Sequence, residues 1–443
     1  MPYFRLLARM KDSLRILFVR RANSALISLF VFIFGIGCSF AQSTAPANSA
    51  GNSGTEPSAK ESAITWDNGM HIRSRNGLAE LEIGGMVQAD ERSFAGPHPP
   101  SKLPDFILRR GRLVLLGTSL KRLNFRIMAE SQRNGPMVVR DAYVDIKISD
   151  GIQIELGKFK SPVGLERLQS ARYLTFPDRA SVTALIPDRD IGIQLHGDLL
   201  KSRVTYMGGL FRGVPDGGST ETSTNHGADG EFRIFTYPFH GARASLFGGL
   251  GIGIGVSAGS ERGTLPSYVT PGLATFFSYR QGTIADGERT RISPQASYYW
   301  RRLSVMAEYA LSAQDVRLGG IVQRVSNTAW QTTASFVLTG EDASYTGVTP
   351  AHPLNPAAHQ WGAFEVAGRS NSFRVDPSAF PVLANPATMG QKADGFEVGL
   401  NWYPQKYFKT MFDYAQTEFV VGAAMGNRPT EKVLIIRIQF SYY

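Results

Sequence analysis

Residues 123–130 read LNFRIMAE and residues 141–148 read DAYVDIKI. In the first stretch Leu123, Phe125, Ile127 and Ala129 share one face, and Asn124, Arg126, Met128 and Glu130 share the other. In the second, Ala142, Val144, Ile146 and Ile148 oppose Asp141, Tyr143, Asp145 and Lys147. A period of two sends alternate side chains to opposite faces of a pleated strand. A half-buried strand in a soluble sheet gives the same alternation, so repetition has to decide. The pattern recurs over nearly the whole chain, as where Leu250, Ile252, Ile254, Val256 and Ala258 alternate with glycines and Ser257. No helical stretch is available to cover so many strands.

Extending the reading predicts sixteen strands, at about 79–88, 106–117, 123–130, 139–148, 152–160, 190–199, 203–211, 231–238, 246–258, 290–300, 303–313, 326–339, 360–369, 393–403, 409–420 and 431–442. Their connections alternate between short turns, such as 149–151, 200–202 and 301–302, and long polar segments at 89–105, 161–189, 212–230, 259–289, 370–392 and 421–430. An even strand number with short turns at one end and long loops at the other marks an all-β, antiparallel transmembrane barrel of the outer-membrane kind. The segment 340–359, long and rich in Pro and Ala, breaks the rule at the short-turn end. Tyr298, Tyr299, Trp300, Trp330, Trp361, Trp402, Tyr403, Tyr442 and Tyr443 lie near strand ends, as interfacial aromatic girdles require.

The first 41 residues combine six basic side chains, the apolar run ALISLFVFIFGIG and a small-x-small site ending at Ala41. They read as a cleaved signal peptide, followed by a polar linker and N-terminal segment at 42–78 and the barrel at 79–443. The mature chain then holds 41 basic and 36 acidic residues, a net charge of +5 rather than +10. Such mild basicity makes the position of each charge matter and gives no reason to expect nucleic acid as a partner. The only cysteine, Cys38, leaves with the signal, so no disulfide or thiol chemistry is expected.

Six stretches, FILRRGRLVLLGTSL, VRDAYVDIKI, LGKFKSPVGLERLQSARYLTFPDRA, DRDIGIQLHGDL, VLTGED and GLNWYP, occur in an order that resembles the phosphate-selective porins O and P. The resemblance spans roughly residues 70–443. It implies a trimeric, 16-stranded porin in the outer membrane of a Gram-negative bacterium, in contact with membrane lipid and lipopolysaccharide. It also implies small anions of the phosphate class as the permeating species and basic residues on the wall and on inward-folded loops, with no cofactor. The chain departs from the family in placing Tyr443 after the aromatic Tyr442 that would end the assembly signal.

With anions in view, parity sorts the arginines. If Leu113 and Leu115 face lipid, Arg110 and Arg112 face the lumen, and Arg109 is left for the outer rim or a subunit contact. Arg126 and Arg437 point inward as well, either to the permeating ion or to an acid such as Glu130, Asp145 or Glu155. Lys158 falls on the lipid-facing parity. Lys160, Arg167, Arg172 and Arg179 begin or lie in the third long loop, about 161–189. Its Val163, Leu165, Leu168, Tyr173, Leu174 and Phe176 need something to pack on, so the loop is expected to fold into the barrel.

A general, weakly selective porin is the alternative. Enzymatic readings are poor: the G-x-S-x-G match at 255–259 has no helix after its serine, and the seven histidines show no metal-ligand spacing. A plugged transporter lacks room for a plug before residue 79. A secreted β-sandwich adhesin stays open until the fold is seen.

Overall fold

The structure, a computed structural model, describes residues 63–66, 69–95, 106–131, 136–220, 227–239, 241 and 246–443. The expected signal peptide at 1–41 and the linker from 42 to 62 lie outside the described residues. Sixteen strands form the barrel: β1 (Ala79–Phe94), β2 (Phe106–Ser119), β3 (Leu123–Glu130), β4 (Val138–Ser149), β5 (Ile152–Lys160), β6 (Arg189–Leu199), β7 (Val204–Phe211), β8 (Asp229–Thr236), β9 (Leu250–Thr264), β10 (Thr283–Trp300), β11 (Leu303–Leu318), β12 (Ile321–Val337), β13 (Ala363–Arg374), β14 (Lys392–Gln405), β15 (Phe408–Val420) and β16 (Glu431–Tyr442). Each pairs antiparallel with the next, and β16 returns to β1, from Val433 opposite Phe94 to Tyr442 opposite Gly85. Closure leaves no free edge, which is what a sheet in lipid needs. A hairpin of Ala63–Trp66 and Met70–Arg73 continues the sheet on β1 beyond the end of β16, and its Trp66 ring sits 5.3 Å from that of Tyr442.

The alternating residues sort as the period demands. Leu113, Ile127, Ile146, Leu156, Ile193, Ile252, Phe396, Val398, Leu434 and Ile438 stand exposed on the outer wall, while Arg112, Asp141, Gln194, Glu308, Asn401 and Arg437 are covered inside. Several strands run longer than the alternation suggests. The expected loop 259–289 shrinks to 265–282 because β9 and β10 extend to Thr264 and from Thr283, and β11 meets β12 through Gly319-Gly320. The added part of β9, GSERGT at 259–264, is polar on both faces. A strand beyond the lipid zone no longer needs an apolar side, so period two fades there while pairing continues.

The apolar core lies inside the barrel. Residues 161–188, the third long loop, enter the lumen and carry one helical turn (Leu165–Leu168) and a 3₁₀ turn (Ser181–Leu185). Val163, Ala180, Val182, Leu185 and Ile186 pack with Tyr268, Phe276 and Phe277 of loop 265–282 and with Phe373, Val375, Ala379 and Leu383 near loop 375–391. Fully burying one such large side chain stabilises by about 1.5–3 kcal/mol. The loop crosses closely over β9: a Cβ on Gly255 would stand 2.0 Å from the Val163 carbonyl oxygen, so only glycine fits.

The long segment at the short-turn end, 338–362, has a matching explanation. It folds into the barrel from that end, packing Ala343 and Val348 with Val337, Ala363 and Tyr403. Tyr345 joins it to the third loop, its hydroxyl donating to the Leu165 carbonyl (2.7 Å) and its own carbonyl accepting from Gln169 Nε2 (2.8 Å).

Candidate functional site

Strand β2 places three arginines inside the barrel. Arg112 and Arg110 follow the alternation, both nearly covered. Arg109 should then point outward, and it does not. Gln88 pairs with Arg110 while Ala89 pairs with Leu108, so Arg109 is the extra residue of a β-bulge. Its guanidinium turns in and bonds Asp178 of the third loop, NH2 to Oδ1, at 2.8 Å. The expected outer-rim or subunit-contact position is corrected by this bulge. An identical device operates two strands on, where Met128 pairs with Asp141 and Ala129 with Val139. Arg140 is the bulged residue there, and its NH2 reaches Asp188. Lys158 keeps the outward parity; its ammonium donates to the Val139 carbonyl at 2.7 Å.

An irregular loop inside a barrel carries carbonyls that no ladder satisfies. Many of the basic residues meet that need. Lys160 Nζ donates to the carbonyls of Leu168 (2.7 Å) and Gln169 (2.8 Å). Arg179 donates from Nε to Glu166 O (3.1 Å) and from NH2 to Gln169 O (2.6 Å). Arg167 donates to Thr183 O, and Lys409 Nζ to Leu174 O at 2.6 Å. Arg437 grips Asp90 with two parallel bonds and donates its third nitrogen to Pro177 O. The single helical turn is no open anion site either, since Glu308 on β11 accepts from the amides of Leu165 (2.9 Å) and Glu166 (3.1 Å).

Other candidates are matched by acids on the wall. Arg112 bonds Glu130 through Nε, and Arg126 Nε lies 3.0 Å from Asp141. Arg110 differs: its NH1 donates to neutral Gln88 at 2.7 Å, and the nearest carboxylate oxygen, on Asp178, is 3.8 Å away. Arg172 stacks on two tyrosine rings, Tyr173 at 4.7 Å and Tyr443 at 4.9 Å.

Between the long-loop end and the third loop opens a cavity of about 610 Å³, lined by Arg109, Arg110, Arg167 and Arg179 with Asp178, Asp216 and Glu397. Burial works against the Asp178 carboxylate, but Arg109 and Arg92, then Arg437 and Arg110, hold it well below the usual carboxylate range. Burial, with repulsion from Arg167, pushes the Arg179 guanidinium down to about 10. A second cavity of about 310 Å³ opens toward the short-turn end, lined by Arg126, Asn124, Tyr143, Asp145, Glu80 and Glu82. Arg110 and Leu116 of β2 line the upper and lower cavities, and Arg112 lies between them on that strand.

The family model of the phosphate-selective porins O and P matches residues 81–252 and 272–443. The chain belongs to that family. Porin O of Pseudomonas aeruginosa is 22% identical to it over 393 residues, 80% of this chain and 86% of that one. Among solved structures, the outer membrane channel DcaP of Acinetobacter baumannii superposes with a TM-score of 0.55 at 11% identity, covering 84% of this chain and 99% of its own. OmpT of Vibrio cholerae, in trimer form, gives 0.53 at 11%, covering 82% and 99%, and Salmonella typhi OmpF in complex with daunomycin gives 0.54 at 11%, covering 84% and 100%. At these identities the solved structures establish fold. The porin is therefore an outer-membrane channel of a Gram-negative bacterium and not an enzyme. Ser257 of the G-x-S-x-G match sits in β9 beside Arg291, Oγ to NH1 3.4 Å.

Arg109 and Arg140 face the lumen, and parity misses both. The signal that could have found them is adjacency: Arg109-Arg110 and Arg140-Asp141 each set two charges side by side on a membrane strand. Regular alternation would put one of them in lipid, at about 2–4 kcal/mol near mid-bilayer.

Proposed function

We propose that this porin is a trimeric, passive diffusion channel for small anions, with inorganic phosphate or polyphosphate as the preferred class. The observation that carries the reading is the 610 Å³ cavity, whose Arg109, Arg110, Arg167 and Arg179 outnumber the carboxylates Asp178, Asp216 and Glu397. Arginine suits the task because its planar fork offers paired N–H donors to two oxygens of an oxyanion. Several weak sites in series let an ion enter and leave again. The path runs along β2, from Arg109 and Arg110 past Arg112 to Arg126, with the third loop, carrying Arg167 and Arg179, as the constriction. Arg437 and Lys160 hold that loop in place. The family's phosphate-selective members and the trimeric OmpT fold support the substrate class and the assembly. The exposed apolar wall supports contact with outer-membrane lipid and lipopolysaccharide. Processing after Ala41 would give a mature chain starting at Gln42, which N-terminal sequencing reads directly.

One observation favours the alternative, a weakly selective porin: most lumen arginines face a carboxylate, as Arg289 faces Asp229 and Glu261, and Arg369 faces Glu397. The reversal potential of the purified protein in planar bilayers under a salt gradient separates the two, together with phosphate competition against chloride current. An anion-selective potential with phosphate block is expected; an unselective or cation-selective channel overturns the proposal.

A further inference from the structure

We infer that Tyr443 is a specificity-determining positioning residue, clamping Arg172 so that its N–H donors stay free for a permeating oxyanion; the inference rests on the anion-channel reading above. The residue follows the last strand, and its backbone turns toward the inside of the wall at Gly84, where a Cβ would stand 2.4 Å from the Tyr443 Cβ. From there the ring packs against Met86 of β1 and against Ala171 and Leu174 of the third loop. Two cations sit over it. The guanidinium carbon of Arg172 is 4.9 Å from the ring centroid and that of Arg126 is 5.5 Å from it.

Arg172 has a second ring, Tyr173, at 4.7 Å. Stacked on two ring faces, it is fixed by contacts that use none of its five N–H groups. Among the described residues, no carboxylate lies within 4.0 Å of it and no hydrogen bond is given by its side chain. That sets it apart from Arg112, Arg126, Arg369 and Arg437, each of which has an acid partner. The Arg172 side chain opens into a cavity of about 170 Å³ on the short-turn side of the loop, shared with Lys406, Lys409, Thr349 and Ser441. A volume of that size suits one oxyanion with little of its water. Aromatic clamping is thus a way to hold a cation in a crowded lumen without neutralising it, and Tyr443 supplies half of the clamp.

The test uses the full-length porin in planar bilayers, reading the reversal potential in a KCl gradient and the phosphate concentration that halves chloride conductance. Y443F keeps the ring and is expected to match the wild type. Y443L is expected to raise the half-blocking phosphate concentration about three- to tenfold, the loss of one desolvated cation–π contact. Heat-modifiable gel migration checks that Y443L folds. If it does not, Y173L removes the other ring of the clamp and carries the same expectation. A folded Y443L, or a Y173L, with wild-type phosphate block overturns the inference, as does a Y443F that loses as much as Y443L. A wild-type channel without anion selectivity or phosphate block instead removes the anion reading itself, whatever the tyrosine variants do.

Discussion

Arg437 and Asp90 stand opposite each other across the seam that closes the barrel, joined by parallel bonds from Nε to Oδ1 (2.6 Å) and from NH2 to Oδ2 (2.7 Å). Both are fully covered, and Arg437 also donates to the Pro177 carbonyl of the third loop. The pair ties the closing strands to the third loop. Removing the sole partner of a buried charge costs roughly 3–5 kcal/mol, and since Asp90 also holds Arg92 at 2.6 Å the loss here falls below that range. R437A is expected to lose its folded gel band at a clearly lower temperature than wild type, while the double variant R437Q/D90N recovers part of the loss. Equal thermal midpoints for R437A and wild type would show the seam does not depend on the pair.

Arg112 and Glu130 make a second prediction. R112A removes a cation and also leaves the Glu130 carboxylate in the lumen with only the more distant Arg140, 3.7 Å away. Anion selectivity should therefore fall more in R112A than in R110A, where neutral Gln88 is left behind. R112A/E130Q should regain most of the loss, because the stranded charge is gone. The reversal potentials of the four channels decide; a double variant as poor as R112A refutes the charge account.

Asp178 is the carboxylate bound to Arg109 and Arg92 beside the large cavity. D178N should raise the anion-to-cation permeability ratio, since it leaves Arg109 without its carboxylate partner, while Arg92 keeps Asp90 at 2.6 Å. Its pH behaviour follows from its low folded-state pKa. A depressed carboxylate contributes stability above its unfolded value, about 3.9, and that contribution is lost as pH falls through the folded value. The wild-type thermal midpoint should exceed that of D178N by a constant margin from pH 7 to about pH 4, and the margin should shrink below it. A margin already closing between pH 7 and pH 5 contradicts the assignment.

Gly255 permits the third loop to touch β9. G255A would press a methyl group against the Val163 carbonyl, so the loop must lift from the wall. Single-channel conductance is expected to rise and anion selectivity to fall if the barrel still assembles. G253A is no neutral control, because its Cβ would strike Ile234 O at 2.5 Å; G368A, with open space around it, is. Matching conductance in G255A and G368A would rule out the loop contact as a determinant.

Strand number and facing were legible in the sequence because lipid imposes period two on each crossing, as in LNFRIMAE and VLIIRIQF. The placements of Arg110, Arg112, Arg126 and Arg437 inside follow from that alone. What parity cannot express is an added residue, so alternation alone sends Arg109 to the wrong side. Loop side chains are harder still. Lys160 and Arg179 meet carbonyls eight to thirteen residues away, and Lys409 meets one 235 residues away. Such pairings depend on how the loop crosses the lumen, which no local spacing encodes. The reach of β9 past the lipid is hidden for the opposite reason: polar residues on both faces remove the apolar stripe that marks a membrane strand.

The two bulges change how length variation in this wall should be understood. Inward positions normally come at half the rate of residues, so lumen charge is limited by strand length. At Arg109 and Arg140 one inserted residue brings a guanidinium into the lumen without changing the facing of the residues on either side. Deleting a single residue there would act as a charge mutation with no substitution at all. A one-residue gap in β2 or β4 of a relative is therefore a difference in pore electrostatics, even where the aligned residues on either side are identical.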